Sequence, residues 1–242
     1  MSDQDFLSIT EAAKSLGVDK QTLRRWDTAG SLRPDFRSPG GHRKYKRETI
    51  DAFATDQASV AEQWASSECG VLPKANSYCE NSGTFQVRLH RLEGELVDLL
   101  GDLNFSALIT AVAGEIGNNS FDHNHGNWPD VRGIFFSADL QKRQIVLADR
   151  GQGILASLKR VRPELEDHKQ ALKVAFTEII SGRAPEPRGN GLKFVYAVVR
   201  DNPLHLLFQS GDARVNLSKD SPELVIGRAP KSIRGTFAVI KY

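Results

Sequence analysis

The chain has 242 residues, of which 40% are hydrophobic and 26% are charged, a composition typical of a soluble protein with one large or two modest domains. It contains no apolar run of the ~18–20 residues that a membrane span needs, and its first residues lack the order of a signal peptide, so we expect no membrane association. The two cysteines, Cys69 and Cys79, fit neither a disulfide framework nor a zinc knuckle, which predicts reduced thiols and a cytoplasmic location.

The net charge of +2 is unevenly distributed along the chain. Residues 20–47 contain nine lysines and arginines and two aspartates, which gives +7 and leaves −5 for the rest of the chain (2 minus 7). A basic N-terminal segment followed by a mildly acidic remainder predicts that the N-terminal segment alone binds a polyanion.

The first thirty residues predict two short helices joined by a glycine turn. Residues 8–17 form a capped helix in this prediction, with Gly17 at its end, and residues 20–29 form a second helix with Leu23 and Trp26 turned inward. Such a pair is a helix-turn-helix, whose second helix fits the major groove of DNA.

Residues 37–45 (RSPGGHRKY) predict a tight basic hairpin, and residues 47–53 predict a third helix. Together with the TLRRW segment after the turn, this hairpin resembles the MerR/excisionase class of winged helix-turn-helix domains, and the resemblance covers residues 6–54. It implies double-stranded DNA as a partner. The implied DNA contacts are Lys20, Thr22, Arg24, Arg25, Arg43 and Tyr45. We also expect a homodimer, although no sustained heptad pattern follows to build the long coiled coil that MerR-class proteins often use.

The remaining sequence predicts a linker at residues 55–83, with a short helix near residues 59–66, and a second domain at residues 84–242, after a DNA-binding domain at residues 1–54. In the second domain, Thr84–Leu89 alternates like a strand and Phe105–His123 has the pattern of a long helix. Further strands are predicted over residues 131–137, 144–148, 204–209, 213–217 and 235–242. Further helices are predicted over residues 171–181 and from the segment 189–192 to about residue 200. The predicted fold class is α/β: a small all-α winged helix-turn-helix domain is followed by mixed strands and long helices that form a two-layer sandwich.

Three polar side chains lie on one face of the predicted long helix. Glu115, Asn119 and Asp122 occupy positions i, i+4 and i+7, beside an apolar stripe that can pack into a core. Carboxylate and amide oxygens suit Mg²⁺, which keeps several of its own waters. The alternative interpretation of this stretch alone is a solvated helix face.

Two glycine-containing segments extend this pattern. Asp149 lies at the end of a predicted strand, and Gly151 and Gly153 follow it, where the backbone can turn or approach closely without a Cβ clash. Gly189 and Gly191 precede a helix, so free N–H groups and the positive helix end can face phosphate oxygens.

The order of the three segments resembles the GHKL ATPase superfamily, which includes gyrase, heat-shock chaperone, histidine kinase and mismatch-repair ATPases. The resemblance covers residues 85–242, includes the late Gly235-Thr236-Phe237 strand, and implies a Bergerat-type fold that binds ATP and Mg²⁺. It implies Asn119 as a magnesium ligand and Glu115 as the general base, in contact with the metal through water. The implied ATP-binding residues are Asn119, Asp122, Asp149, Gly151, Gly153, Ile154, Gly189, Asn190, Gly191, Leu192 and Thr236. Arg183 and Arg188 either neutralise the γ-phosphate or are solvated loop residues.

Two other sites are weaker. Gly151–Ala156 fits a G-x-G-x-x-A dinucleotide pattern, but residues 161–170 are polar and contain proline, so the second strand of that fold is missing. His123 and His125 could suggest a metal pair, but a turn after the helix is the favoured interpretation because Asn124 and Gly126 are turn residues.

The combined prediction is a DNA-binding regulator whose second domain binds and hydrolyses Mg-ATP to control DNA binding or assembly. One alternative is a protein kinase: His90 is the only candidate phosphoacceptor before the long helix, and residues 60–104 are too short for a histidine-kinase hairpin. A serine kinase that acts on a separate, neighbour-encoded protein stays open. Another alternative is a nucleotide sensor without turnover.

Overall fold

The computed structural model describes residues 6–16, 18–28, 32–178, 191–219, 221 and 223–242, without the side chains of residues 54 and 55. The chain divides into two compact units between Val60 and Ala61, and each unit has its own hydrophobic core. Within the described residues, no helix combines the length and the apolar character that crossing a bilayer requires.

The first unit contains three helices and a small antiparallel sheet among its described residues. Its elements are β1 (Phe6–Ser8), α1 (Ile9–Leu16), α2 (Lys20–Thr28), β2 (Phe36–Arg37), β3 (Arg43–Lys46) and α3 (Arg47–Thr55). The strand order is β1-β3-β2, so the prediction that this domain is all-α is wrong: the residues on both sides of the basic hairpin pair with each other and with Phe6–Ser8. Side chains cap the starts of α1 and α2. Ser8 and Glu11 exchange hydrogen bonds as a capping box at α1, and Asp19 Oδ1 accepts from the Thr22 N–H at 2.7 Å at α2.

The second unit is built on a seven-stranded sheet in the part of the chain that is described. After α4 (Gln57–Ser66) and a 3₁₀ turn (Ala75–Ser77), the elements are β4 (Tyr78–Cys79), α5 (Ser82–Leu100), α6 (Leu103–Asn124), β5 (Ile134–Asp139), β6 (Gln144–Asp149), α7 (Gly153–Lys159), α8 (His168–Thr177), α9 (Gly191–Asp201), β7 (His205–Ser210), β8 (Ala213–Ser218), β9 (Ile226–Arg228) and β10 (Thr236–Lys241). The order is β4-β5-β6-β10-β7-β8-β9, and every neighbouring pair is antiparallel.

The two faces of this sheet bury different partners. Residues paired directly across neighbouring strands share a face, so one row runs through Leu147, Ala238 and Phe208 and packs in one core with helices α5 to α9. The adjacent row points the other way and contains Phe135, which packs against Trp64 of α4 with 6.4 Å between the ring centroids. A mixed helix-and-sheet architecture is therefore confirmed.

The predicted strand at Thr84–Leu89 is wrong, because these residues form part of α5. Asn81 Oδ1 accepts from the Thr84 N–H at 2.9 Å and starts the helix. Phe85, Leu92 and Leu96 are buried at helical spacing over 19 residues. The alternation of apolar residues between Phe85 and Leu89 covers too few positions to outweigh the helical spacing of the buried residues along the whole of α5.

Residues 61–83, which the sequence predicted as part of a linker, lie in the second unit and include much of α4 and strand β4. Tyr78 and Cys79 of β4 pair with Phe135 and Ile134 of β5. Neither β4 nor β9 was predicted, since each has only two or three residues. Gly17 and residues 179–190 lie outside the described residues.

Candidate functional site

The carboxylate of Asp149 lies at the end of β6 and points to the helix-covered face of the sheet, where it is 1% exposed. Its Oδ2 accepts hydrogen bonds from the Ser120 hydroxyl at 2.9 Å, the Thr236 N–H at 3.1 Å and the Thr236 hydroxyl at 2.5 Å. Its Oδ1 accepts from the Gly151 N–H at 2.7 Å and from Asn124 Nδ2 at 3.4 Å. Helix α6, the loop after β6 and the start of β10 therefore meet at one buried acid.

Burial raises the pKa of Asp149, and the hydrogen bonds from Thr236, Gly151 and Ser120 offset part of that rise because they stabilise the carboxylate. Burial also lowers the pKa of the neighbouring His123, although the charge of Asp149 acts in the opposite direction. A buried carboxylate surrounded by donors can accept a further hydrogen bond from an apolar ligand that carries an amine.

Two glycines keep the backbone close to this acid. Gly235 has a φ of +61°, and a Cβ built there would lie 2.1 Å from Asp149 Oδ1. Gly153 has a φ of +75°, and its Cβ would lie 2.9 Å from Ser210 Oγ, which itself accepts from the Ile154 N–H at 2.9 Å. A side chain at either position would strain the backbone and would displace Asp149 or Ser210.

A narrow cleft opens beside Asp149 and has both polar and apolar walls. Its lining residues are Ile116, Asn119, Ser120, His123, Asn124, Asp149, Gly153, Ile154, Ser157, Leu192, Phe208 and Thr236. Of the predicted ATP-binding residues, Asn119, Asp149, Gly153, Ile154, Leu192 and Thr236 are brought together here. Mostly apolar walls with a few polar atoms are the usual composition of small-molecule sites.

The side chains of Glu115 and Asn119 on α6 lie against the first residue of α9, next to this cleft. A Cβ built on Gly191 would be 2.6 Å from Glu115 Oε2 and 3.0 Å from Asn119 Nδ2, so both side chains border the same backbone position. Among the described residues, no group of three or more His, Cys, Asp or Glu could hold a metal by itself. One carboxylate and one amide do fit Mg²⁺ that keeps most of its ligands from water and phosphate.

Some predicted site residues are not assembled here. The side chain of Asp122 is exposed and does not line the cleft, because it lies two residues from both Ser120 and Asn124 and so on the opposite side of α6. Gly151 is buried against Asn124 behind the Asp149 turn. Gly189, Asn190, Arg183 and Arg188 lie outside the described residues.

Sequence reasoning missed Ser120 and Asn124, which connect α6 to Asp149. Both continue the i, i+4 stripe of Val112 and Ile116, and Asn124 Oδ1 also accepts from the Gln152 N–H at 2.8 Å. The signal was a core-facing helical stripe that changes from apolar to polar near its end. Such a change predicts a buried polar partner.

In the first unit, exposed cations lie on α2. Lys20, Arg24 and Arg25 are exposed, whereas Thr22 is half-buried and its hydroxyl donates to Asp19 at 3.1 Å. The sequence prediction for these residues as DNA contacts stays a prediction, and it is compatible with their positions.

The predicted DNA contact from Tyr45 does not agree with the structure, because the ring is fully buried in the small core with Leu23 and Ile50. Arg43 is half-buried and its Nε donates to Asp27 at 2.6 Å, where Arg37 also pairs. Burial opposes the ionisation of Asp27, but these two guanidinium groups lower its pKa overall. Arg43 therefore holds the hairpin against α2.

Comparison with known proteins identifies the N-terminal segment. Residues 8–45 match the family of MerR family regulatory proteins, so the chain carries a helix-turn-helix domain of that family at its N-terminus. A similar protein is the "Type II methyltransferase M.Eco47II" of Escherichia coli, which is 44% identical over 57 residues. That match covers 24% of this chain and 14% of the methyltransferase.

Proposed function

We propose that this protein is a DNA-binding regulator whose second unit binds and hydrolyses Mg-ATP and thereby controls DNA binding. The observation that carries the proposal is the cleft in which Asp149, fixed by five hydrogen bonds, lies near the adjacent pair Glu115 and Asn119. One end of the cleft thus suits a base with an exocyclic amine, and the other end suits phosphate and its counter-ion.

Each group has a role that follows from its chemistry. Asp149 would accept from the adenine amine, and the Thr236 hydroxyl would keep the carboxylate oriented toward it. Ile116, Ile154 and Phe208 would contact the faces of the ring, where burial of apolar surface contributes about 25 cal/mol per Å². The contact with Asp149 would fix the orientation of the base, while the apolar walls would supply most of the affinity.

At the phosphate end, Asn119 would hold Mg²⁺, which supplies neutralisation of the phosphate charge when bound. Glu115 would accept the proton of the attacking water, and this role needs only hydrogen-bond reach and an ionised carboxylate. The N–H groups at the start of α9 would face phosphate oxygens. These roles explain why Gly191 borders both side chains so closely.

In the first unit, α2 would enter the major groove, with Arg24 and Lys20 facing bases or phosphates. The MerR-type domain supports this role. Control of DNA binding by ATP requires only that the nucleotide bind the two DNA-affinity states unequally.

Calorimetric titration with a non-hydrolysable Mg-ATP analogue tests the site. We expect Asp149→Asn to weaken binding at least about tenfold, since a hydrogen bond to a charged group contributes about 1.5–3 kcal/mol. Asp139→Asn is the matched control, because Asp139 lies at the solvent-facing end of β5 and interacts with Lys142. Equal affinity of wild type and Asp149→Asn would contradict the proposed adenine contact.

Phosphate release tests turnover separately from binding. We expect Glu115→Gln to bind the analogue like wild type and to release phosphate at least about 100-fold more slowly, the loss usual for a general base. Glu93→Gln is the control, a partly exposed acid on α5. Release by Glu115→Gln at the wild-type rate would remove the assigned base, and absence of release from wild type would leave a nucleotide sensor.

DNA binding is measured by fluorescence anisotropy with a labelled duplex of about three helical turns, with and without the analogue. We expect the wild-type affinity to change with nucleotide and the Asp149→Asn affinity to stay constant. Identical responses of the two proteins would contradict the proposed control.

A further inference from the structure

The residue after Asp149 is an arginine that is completely buried on the opposite side of the strand end. Arg150 Nε lies 3.1 and 3.0 Å from the two carboxylate oxygens of Asp130, and its Nη2 lies 2.5 Å from Oδ2. Nη1 donates to the carbonyl oxygen of Trp64, and Nη2 also donates to the carbonyl oxygen of Glu68 at 3.5 Å. The guanidinium also lies 5.9 Å from the centroid of the Trp64 ring. Arg150 therefore connects the strand end to the last turn of α4 and the loop after it.

The segment before Thr236 makes a second connection to the same helix. The Arg234 N–H donates to the Ala65 carbonyl oxygen at 3.0 Å, and its guanidinium lies 3.6 Å from Asp130. Burial opposes the ionisation of Asp130, yet its pKa is lowered by the Arg150 hydrogen bond and by both guanidinium charges. The two chain segments that hold the candidate ligand site, at Asp149 and Thr236, are each adjacent to a residue that holds α4.

This arrangement follows from the alternation of side chains. Asp149 points to the helix-covered face and the next side chain, Arg150, points the other way, where α4 lies. A third contact joins α4 to that face, because Glu62 pairs with Arg214, whose Nε donates to Gln209 Oε1 at 2.9 Å. The second half of α4 is thus fixed to the strand ends around the cleft.

We infer that Arg150 and Arg234 are positioning residues that couple occupancy of the Asp149 cleft by a purine nucleotide to the packing of residues 61–70. The inference rests on the proposed function. A ligand that contacts Asp149 and Thr236 stabilises the backbone arrangement in which both arginines reach α4, and by reciprocity the packing of α4 sets the affinity for the ligand. A single residue separates the end of α3 from Gln57, where α4 begins. The coupled helix is therefore the segment by which the chain leaves the first unit.

Gly70 allows this coupling to be tested without touching the cleft or its lining. A Cβ at Gly70 would lie 2.9 Å from Arg150 Nε, 2.9 Å from Asp130 Oδ2 and 2.4 Å from Val131 Cγ2, so Gly70→Ala must displace the arginine–aspartate pair. Gly94→Ala is the matched control, since no atom of the described part of the chain lies within 4 Å of its Cβ. Asp130→Asn is the second variant, which keeps the shape of the side chain and removes its charge.

In the full chain, Gly70→Ala and Asp130→Asn should each weaken binding of the Mg-ATP analogue by about fivefold or more, the usual lower range of coupling between sites, while Gly94→Ala binds like wild type. Hydrogen exchange gives the independent readout. The analogue should slow amide exchange in residues 61–70 of wild type and should have little effect there in Gly70→Ala.

The outcomes separate the two ideas. Binding by wild type without any change in the exchange of residues 61–70 would overturn this inference and leave the proposed function intact, and so would wild-type affinity in both variants. No binding by folded wild type would overturn the proposed function, and the inference would fall with it.

Discussion

Replacing Thr236 with valine removes a single hydrogen bond from the centre of the candidate site and preserves the size and β-branched shape of the side chain. The hydroxyl donates to Asp149 Oδ2 at 2.5 Å, while the Thr236 N–H donates to the same oxygen at 3.1 Å and is retained in the variant. A hydrogen bond to a charged group contributes about 1.5–3 kcal/mol. At about 2–4 °C per kcal/mol for a unit of this size, the melting temperature of the second unit should fall by about 3–12 °C.

The cost should depend on pH, because the hydroxyl stabilises the ionised form of Asp149. The pKa of Asp149 in the folded protein is raised by burial, so the stability associated with its protonated form is fully present below the unfolded pKa, near 4, and is lost as pH rises through the folded pKa. Loss of the donor raises that pKa further. The destabilisation by Thr236→Val should therefore be smallest at low pH, where Asp149 is protonated in both the folded and the unfolded state, and should grow as pH rises through the folded pKa of Asp149.

Differential scanning calorimetry at a series of pH values measures the loss of stability, with Thr110→Val as the control. Thr110 is buried, and its hydroxyl donates to the neutral carbonyl oxygens of Ser106 and Ala107, both at 3.1 Å. Its loss should cost about 1 kcal/mol at every pH. A cost of Thr236→Val that is independent of pH, or no larger than that of Thr110→Val, would refute an ionisable carboxylate held by this hydroxyl.

Three further outcomes follow from individual contacts. Tyr45→Phe should leave stability unchanged or higher in urea unfolding and should leave DNA affinity unchanged, because the Tyr45 hydroxyl is buried and has no hydrogen-bond partner among the residues that the structure describes. Gly117→Ala should destabilise the second unit by about 1–3 kcal/mol, since its Cβ would lie 2.3 Å from Phe85 Cζ, and thermal unfolding measures the loss. Arg24→Ala should weaken duplex binding and reduce the salt slope of the affinity by about one, and an unchanged slope would exclude a phosphate contact.

The long-period elements of the fold could be predicted from the sequence, and the short ones could not. The helix predicted at Phe105–His123 is confirmed as α6, and Gln144–Ala148 is confirmed as a strand. β4 has two residues and exists because Tyr78 and Cys79 pair with β5, a contact between distant parts of the chain. Local pattern contains no information about such pairing.

The candidate site shows the same division between local and tertiary information. Asp149 was found because it ends a strand and precedes two glycines, and both features are local. Ser120 was missed because its role depends on how α6 packs on β6, which brings its hydroxyl within 2.9 Å of Asp149 Oδ2. The register of a helix on a sheet fixes which polar residue meets the acid, and the sequence of the helix alone does not.

The ion pairs of the first unit limit how many of its cations can neutralise DNA phosphates. Nine cations in residues 20–47 would allow a salt slope of about −8 per protomer if each neutralised a phosphate. Arg37 and Arg43 pair with Asp27, and Lys46 pairs with Glu48, so at most six of the nine remain, which gives a limit of about −5. Anisotropy titrations at several KCl concentrations measure this slope. A value near −8 per protomer would mean that Arg37 and Arg43 release Asp27 when the protein binds DNA, and that the hairpin of residues 37–45 rearranges.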